Sequence, residues 1–408
     1  MKKRVLMTVC LCLAVTAAFA QKKAVSSAER LVKDAKPDYN EARTLIKGAL
    51  EDPETKNDAK TWYVAGQIED SQFTGESTKL LLGQQPNEPL MYEALGKILP
   101  YFKKSYELDQ LPDEKGKVKP KYTKNIKGTL SANHNYYLNG GAYYFEQRDY
   151  KKACEFFEQY MEIADLPFIA GEKPSVRDSN FMIVQFYNAV AATQLENSDY
   201  AIKSLKRAKD TPFRQDEVYQ YLCYEYTQIK DSLSFEKTLE EGMNVFPDSS
   251  FYISNLINLY IYSDRNDKAR DLLDIAIARD PNNSILYQAL GSVYETGFKD
   301  IENAELNFKK GLELDPDNDM ALSNVGRIYY NQAVNKLSEA NAITDTRKYT
   351  EEKAIAKSLF EKAKPYFEKA YQSKSDNKDY MLALRGIYYN LDMNDEFNEI
   401  DAKMNGGQ

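Results

Sequence analysis

The chain has 408 residues, of which 43% are hydrophobic, and a formal net charge of −8 at pH 7. This length exceeds one ordinary hydrophobic core, so the chain forms either two or three domains or a stack of repeats. The negative charge repels phosphate backbones and anionic lipids, which argues against nucleic acid and anionic membrane surfaces as partners.

The first 20 residues have the pattern of a secretory signal peptide. Basic residues at 2–4 precede an apolar run, and Ala-Phe-Ala at 18–20 provides small residues for cleavage. The apolar run is shorter than the about 20 residues that a membrane span needs. The residues before Cys10 and Cys12 do not match a lipoprotein signal. We therefore predict an exported, periplasmic protein that is cleaved near Ala20, is not a lipoprotein and does not insert into the membrane afterwards.

One pattern recurs along the chain at a spacing of 34 or 35 residues. Asp-Pro at 280–281 and at 315–316 follows small or apolar residues 12, 8 and 5 positions before each proline. A second motif precedes this one in the repeat. It reads L-G-x2-Y with Gly291 and Tyr294, and a fuller form of its beginning, W-x2-A-G, starts at Trp62. Residues four and seven positions apart share one face of a helix. Asp-Pro then ends the helix, because proline lacks an N–H and disfavours helix in the preceding residue.

The combined pattern W-x2-L-G-x2-Y…A-x3-F…P resembles the tetratricopeptide repeat family, in roughly eight or nine units over most of residues 25–400. The resemblance implies an all-α, right-handed superhelical solenoid of antiparallel helix pairs. Each pair buries its apolar side against its neighbours. The resemblance also implies a concave groove, lined by the first helix of each pair, that binds a peptide or a protein.

The first of two lengthened units lies between Gly66 and Ile98, with about 20 residues more than the consensus spacing. We expect loops at 73–75 and 84–87, because glycine, proline and asparagine favour turns. Pro100 is expected to kink or to begin the second helix of this unit. The insertion is either surface decoration or a docking projection.

The second lengthened unit lies between Tyr329 and Ala363, with about 25 extra residues. We interpret it as a long helical hairpin over 331–372. The acidic residues after Thr350 suit the first turn of a helix, so we expect the second helix to begin near Thr350. Pro365 is expected to kink or to begin a helix here as well. This hairpin too is either decoration or a docking element.

These features predict four segments along the chain. They are a signal peptide at 1–20, N-terminal units with the insertion at 21–120, a regular array at 121–317, and C-terminal units at 318–408. A polar linker is expected at 113–122, and the final helix pair is expected to cap the stack with a polar outer face.

The sequence offers no recognisable catalytic, metal or cofactor site, so we expect a protein that is not an enzyme. His134, the only histidine, is interpreted as a polar residue of a loop or a helix start. Cys154 and Cys223 fall in non-adjacent units, which predicts two free, buried thiols rather than a disulfide. The acidic run at 315–319 lacks the glycine and the glutamate that a calcium loop needs.

The resemblance places candidate groove residues on the first helices of the clearest units. This set is polar and mostly uncharged, which suits an extended peptide whose backbone amides need partners. A plain solvated face is the alternative. The set is Ser254, Asn258, Tyr262, Gln288, Ser292, Arg327, Tyr330 and Asn331.

Three functions are compatible with these observations. The first is a periplasmic scaffold or adaptor that binds another protein or an extended peptide. The second is a glycan- or peptidoglycan-binding protein, which a stripe of solvent-facing tyrosine or tryptophan side chains would favour. The third is an enzyme that uses carboxylates, which two acids pointing into a closed pocket would favour. The partner, the pathway and the oligomeric state are not encoded in any motif that we recognise.

Overall fold

A computed structural model describes residues 20–171 and 178–406. The predicted signal peptide lies outside these residues, apart from its last position. The described residues form helices joined by turns and loops, with no strand among them. The fold is therefore all-α, as the sequence predicts.

The chain divides into two compact units, and the boundary follows Phe235, inside helix α10 (Ser232–Val245). The first unit contains α1 (20–33), α2 (Tyr39–Glu51), α3 (Ala59–Leu81), α4 (Glu88–Asp109), α5 (Thr123–Glu146), α6 (Tyr150–Asp165), α7 (Ser179–Ala192), α8 (Ser198–Ala208) and α9 (Gln215–Gln228). The second unit contains α11 (Ser250–Tyr262), α12 (Asn266–Arg279), α13 (Ser284–Ser292) with a π-helical turn (Val293–Phe298), α14 (Ile301–Leu314), α15 (Asp319–Asn341), α16 (Thr346–Ser373), α17 (Lys378–Asn390) and α18 (Asn394–Asn405). The segments at 21–120, 121–317 and 318–408 stay predictions.

The repeated Asp-Pro phrase ends one helix and begins the next. Asp280 and Asp315 lie directly after α12 and α14. Three residues later, the side chain of Asn283 accepts a hydrogen bond from the backbone of α13, and that of Asn318 does the same for α15. Each asparagine also donates to the aspartate before it, at 3.1 and 3.0 Å. The recurring asparagine is thus the N-cap of the following helix.

A glycine on the first helix of a pair faces a phenylalanine ring on the second. A Cβ atom added to the glycine would lie 2.3 Å from the ring for Gly66 and Phe102, 2.2 Å for Gly141 and Phe157, and 2.5 Å for Gly291 and Phe308. Only a residue without a side chain permits this approach. The contact recurs at the small-residue position of the sequence pattern, so these helices form tetratricopeptide-like pairs.

In both lengthened units, the extra residues extend the two helices of the pair. Helices α3 and α4 have 23 and 22 residues, and α15 and α16 have 23 and 28. The expected loop at 84–87 is present. The prediction of a loop at 73–75 is wrong, because these residues lie inside α3. Phe73 lies inside α3, buried, with its ring centroid 5.1 Å from that of Tyr136. The helix continues through Gly75 although glycine has a low helix propensity.

The long hairpin is larger than the sequence predicts. Its first helix begins at Asp319, and the second begins at Thr346 rather than near Thr350. Asp345 provides the actual N-cap, because its carboxylate accepts a hydrogen bond of 2.9 Å from the backbone N–H of Lys348. The acidic pair after Thr350 therefore lies within the helix.

Both prolines of the lengthened units lie inside helices instead of beginning them. Pro100 has no N–H for the carbonyl of Gly96, four residues earlier. That carbonyl accepts a hydrogen bond of 2.9 Å from the side-chain amide of Gln159 on α6. A side chain of the neighbouring helix pair thus replaces the missing backbone donor.

The interpretation of His134 as a loop or helix-start residue is wrong. His134 is buried in the middle of α5, where its ring stacks on Tyr160 with centroids 3.9 Å apart. Its Nε2 lies 2.9 Å from the carbonyl oxygen of Tyr160. Burial lowers the pKa of His134, because the charged imidazolium loses its hydration.

We expect acid to destabilise the protein through His134. The folded-state pKa lies below the unfolded value of about 6.5, so the unfolded chain binds the proton more tightly. Stability should therefore fall as the pH drops below about 6.5. Urea titrations of the wild type and of His134→Phe at pH 7.5 and pH 5.5 test this expectation. The variant should lose less stability over this interval than the wild type, and an equal loss in both proteins would contradict the prediction.

The expectation of two free thiols is confirmed. Cys154 and Cys223 are both buried, and neither takes part in a disulfide. Burial raises the pKa of Cys154 to about 11 and that of Cys223 to about 12. Both side chains are therefore protonated at neutral pH and pack as small apolar groups.

Candidate functional site

The eight predicted groove residues lie on three helices of the second unit. Helix α11 carries Ser254, Asn258 and Tyr262; helix α13 carries Gln288 and Ser292; helix α15 carries Arg327, Tyr330 and Asn331. The structure brings the three residues of α15 together at one cavity, whereas the residues of α11 and α13 do not line it.

This cavity has a volume of about 600 Å³ and lies between α15 and α17. We call it the α15–α17 cavity. Its α15 wall is Ser323, Arg327, Tyr330 and Asn331, and its α17 wall includes Asp379, Tyr380, Leu382 and Ala383. The volume falls within the range of about 300–1,000 Å³ that is typical of ligand sites.

Arg327 is held by an internal ion pair and does not present a free charge. Its guanidinium binds both carboxylate oxygens of Glu295, with 2.7 Å for one of the two contacts. It also donates to the side chain of Asn324 at 3.3 Å. A paired guanidinium with a fixed plane positions the wall of the cavity, but it attracts an anion only weakly.

Gln288 is likewise engaged inside the fold. Its side-chain amide donates to the carbonyl of Phe308 at 3.1 Å and accepts a hydrogen bond of 3.1 Å from Asn324. Gln288 therefore connects α13 to α14 and α15. These hydrogen bonds hold adjacent pairs together, and a contact of Gln288 with a ligand stays a prediction.

Two polar groups of the cavity remain available. Asn331 and Asp379 are exposed, and their side chains make no hydrogen bond or ion pair with another described residue. They lie on opposite walls, on α15 and α17. The asparagine offers a donor and an acceptor, and the carboxylate offers acceptors only.

The apolar part of the cavity is built from aromatic rings. Phe367 of α16 is buried, and its ring centroid lies 6.3 Å from that of Tyr330. Leu382 is 51% exposed and lies on the α17 wall. The cavity can therefore bind an apolar side chain while Asn331 and Asp379 contact polar groups next to it.

The aromatic wall is fixed by a hydrogen-bond network at its base. The hydroxyl of Tyr380 donates to Asp319 at 2.7 Å, and Lys374 pairs with the same carboxylate at 3.0 Å. Burial alone would raise the pKa of Asp319, but Tyr380 and Lys374 stabilise the carboxylate and hold the pKa below its ordinary value. Burial and the adjacent Asp319 raise the pKa of Tyr380 to about 12.

Gly386 determines where Tyr330 can lie. A Cβ atom at Gly386 would lie 2.5 Å from the hydroxyl oxygen of Tyr330. The missing side chain lets this ring lie against α17. A larger residue at 386 would force the ring to move, although it would change no group of the cavity chemically.

Three predicted residues lie away from this cavity, on the surface of α11. Ser254, Asn258 and Tyr262 are exposed, and Tyr262 is 88% exposed. They are accessible, and none of them lines the α15–α17 cavity. The α17 residues of the cavity were missed because α17 and α18 were interpreted only as a cap. Gly386 and Tyr389 reproduce G-x2-Y, and the position three before Gly386 is Ala383, which lines the cavity.

The second unit also contains the two following cavities. One of about 620 Å³ lies beside α14 and α16, with Leu312, Tyr329 and Tyr366 in its lining. The other, of about 480 Å³, lies beside the long hairpin and includes Leu337 and Tyr389. Neither contains a residue that the sequence predicts for the groove.

Within residues 20–171 and 178–406, no group of histidine, cysteine or carboxylate side chains is arranged to hold a metal ion. The helices of the same described ranges are all too short or too polar to span a membrane.

Comparisons with known proteins find similar folds over part of the chain. No protein-family model matches the sequence, and no curated protein matches it. A solved structure of MamA protein has 19% sequence identity and a TM-score of 0.34, over 46% of this chain and 94% of MamA. A TPR repeats protein from Bacteroides fragilis has 18% identity and a TM-score of 0.31, over 63% of this chain and 98% of that protein. MamA from Desulfovibrio magneticus has 13% identity and a TM-score of 0.31, over 44% of this chain and 96% of that protein. At these values the comparisons add nothing about a ligand, and the tetratricopeptide-like description stands on the helix pairs themselves.

Proposed function

We propose that this protein is an exported, non-enzymatic scaffold that binds an extended segment of another protein in the α15–α17 cavity. The observation that carries the proposal is the combination of groups in that cavity. Asn331 and Asp379 are free to bond the backbone amides of a peptide, and the aromatic wall beside them accepts an apolar side chain. Export is proposed from the leader pattern at residues 1–20.

Peptides selected from a display library on the purified full chain test this proposal. We expect the selected peptides to lose about fivefold in affinity when Asn331→Ala removes a hydrogen-bonding side chain. Gly386→Val should weaken them as well, because it moves Tyr330 without altering a polar group. Fluorescence anisotropy measures both changes. Leu306→Ala is the matched control, because Leu306 is an exposed residue of α14 outside the cavity.

Two outcomes would overturn the proposal. One is equal binding of the selected peptides by the wild type and both cavity variants. The other is competition by peptidoglycan fragments at the same cavity, which would favour the glycan-binding alternative. Sequencing the N-terminus of the protein purified from the cell envelope completes the test, because export predicts a start at Gln21.

The exposed aromatic residues favour a peptide over a sugar. Among the described residues, the tyrosines with the highest exposure are Tyr224, Tyr262 and Tyr389, and they lie on three different helices. Trp62 is half-buried, and its indole N–H donates to the carbonyl of Lys56 at 2.7 Å. A sugar-binding stripe would need such side chains next to one another.

A further inference from the structure

The loop before α5 concentrates positive charge in an acidic protein. Residues 113–124 contain two acidic side chains and five lysines, although the whole chain has a net charge of −8. We call residues 113–124 the basic loop. Four of its lysines are exposed and have no ion pair within the described part of the chain: Lys115, Lys117, Lys121 and Lys124.

A buried carboxylate fixes the C-terminal end of the basic loop. Asp109 of α4 accepts hydrogen bonds from the backbone N–H groups of Lys121, Tyr122 and Thr123 at 2.8, 2.9 and 3.0 Å. Burial alone would raise the pKa of Asp109, but these hydrogen bonds outweigh burial and hold the pKa below its ordinary value. The segment at 113–122 is therefore anchored and does not behave as a free linker.

A tight turn fixes the other end. The backbone N–H of Asp113 donates to the carbonyl of Lys117 at 2.9 Å, and the side chain of Asp113 accepts from the N–H of Lys117 at 2.9 Å. Between these anchors, Pro120 disfavours helix at Lys119 and favours extended backbone there. Because the loop is ordered in advance, a ligand that binds it does not have to order the backbone.

We propose that the basic loop is a docking surface for an extended acidic segment of a partner protein. Alternate residues of an extended chain repeat at about 6.8 Å. Lys117, Lys119 and Lys121 lie at every second position of the loop. Lys119 pairs with Asp113 at 3.0 Å, so Lys117 and Lys121 are the two of these lysines that remain free to match carboxylates of such a segment. Leu111 and Val118 are also exposed on the loop and add apolar area to the same contact.

The charge distribution favours a flexible peptide over a flat or rigid anion. The rest of the chain is more acidic than the chain as a whole, because the basic loop contributes positive charge. A membrane surface or a nucleic-acid duplex at the loop would approach this acidic remainder, and repulsion acts over about 8 Å at physiological salt. A narrow acidic segment contacts the lysines alone. This docking surface lies in the first unit and does not depend on the α15–α17 cavity.

A labelled synthetic peptide of alternating aspartate and serine tests the proposal with the full chain. We expect Lys117→Gln, Lys121→Gln and Lys124→Gln together to raise its Kd about tenfold at low salt. The matched control replaces Lys47, Lys151 and Lys203 by glutamine, because these lysines are also exposed and lie on α2, α6 and α8. The control should change the Kd by less than about twofold, and added salt should weaken wild-type binding.

Several results would overturn the proposal. They are no binding of the peptide by the wild type, an equal loss of affinity in the control, and lysine-dependent binding of phosphatidylserine vesicles or single-stranded DNA in place of the peptide. Lysine-dependent self-association in sedimentation would identify a second copy of this chain as the occupant and would also contradict it. Circular dichroism establishes that both triple variants are folded.

Discussion

Phe308→Ala is expected to lower the free energy of unfolding of the surrounding helix pairs by about 3–5 kcal/mol. Phe308 is fully buried, and its ring fills the space left by the missing side chain of Gly291. The variant leaves a cavity that the rigid backbone cannot close. Urea titration gives the size of the loss. Hydrogen exchange should locate it in α13 to α15, because helix pairs in a stack depend mainly on their neighbours.

Two controls separate the cavity from a general effect of substitution. Leu306→Ala changes an exposed residue of the same helix and should alter stability by less than about 0.5 kcal/mol. Gly291→Ala should destabilise the wild type but cost much less in the Phe308→Ala background, where the ring is absent. Equal shifts in Leu306→Ala and Phe308→Ala would contradict the assignment of Phe308 to the core.

Arg43→Met is expected to be the most damaging charge removal, at about 3 kcal/mol. The Arg43 guanidinium contacts both oxygens of Glu69, at 2.9 and 2.6 Å. The Glu69 side chain is only 4% exposed, so removal of its partner leaves a buried carboxylate without a cation. Arg43 itself is 27% exposed, which places the effect at the lower end of values for buried pairs. Urea titration measures the loss.

The double variant Arg43→Met, Glu69→Leu distinguishes the buried charge from lost packing. It should recover most of the stability, because an apolar pair of similar size needs no hydration. Lys97→Met removes an exposed partner of Glu93 and should change stability by less than about 1 kcal/mol. If the double variant were as unstable as Arg43→Met, the buried charge would not be the cause.

The helix pairs were predictable because their signals are local and repeated. A proline follows Asp280 and Asp315 and ends the helix at each of them. The ring of Phe308 packs on Gly291, and these two residue types recur at a fixed spacing. These relations depend on a few positions each and recur at one period. The lengthening of both helices in the second of the two units was predictable from the spacing as well, since the flanking pattern stays in register, whereas the first insertion was expected to contain a loop at 73–75 that the structure replaces by helix.

The local errors come from contacts between distant residues. Gly75 favours a turn, but Phe73 packs on Tyr136, 63 positions later, and the helix continues. His134 has polar neighbours in the sequence, yet it shares a buried face of α5 with Leu130 and Tyr137. That spacing was available in the sequence, and it is a better guide than the polarity of adjacent residues.

The candidate site was only partly predictable. Arg327, Tyr330 and Asn331, which were chosen from their positions around Gly326, line one cavity, and their role in a groove stays a prediction. The sequence did not indicate that Glu295 neutralises Arg327, because that pair spans two repeats. Asp379 was missed because the last helix pair was interpreted only as a cap.

Pro100 makes the order of one helix depend on the next repeat. The carbonyl of Gly96 has lost its usual donor within α4, and Gln159 of α6 provides the replacement. Fraying of α6 would thus leave a broken hydrogen bond in the middle of α4. Because each repeat of a stack contacts mainly its neighbours, this directional link raises the cooperativity between two neighbouring repeats. The proline therefore acts as a coupling element between repeats rather than as a defect of its helix.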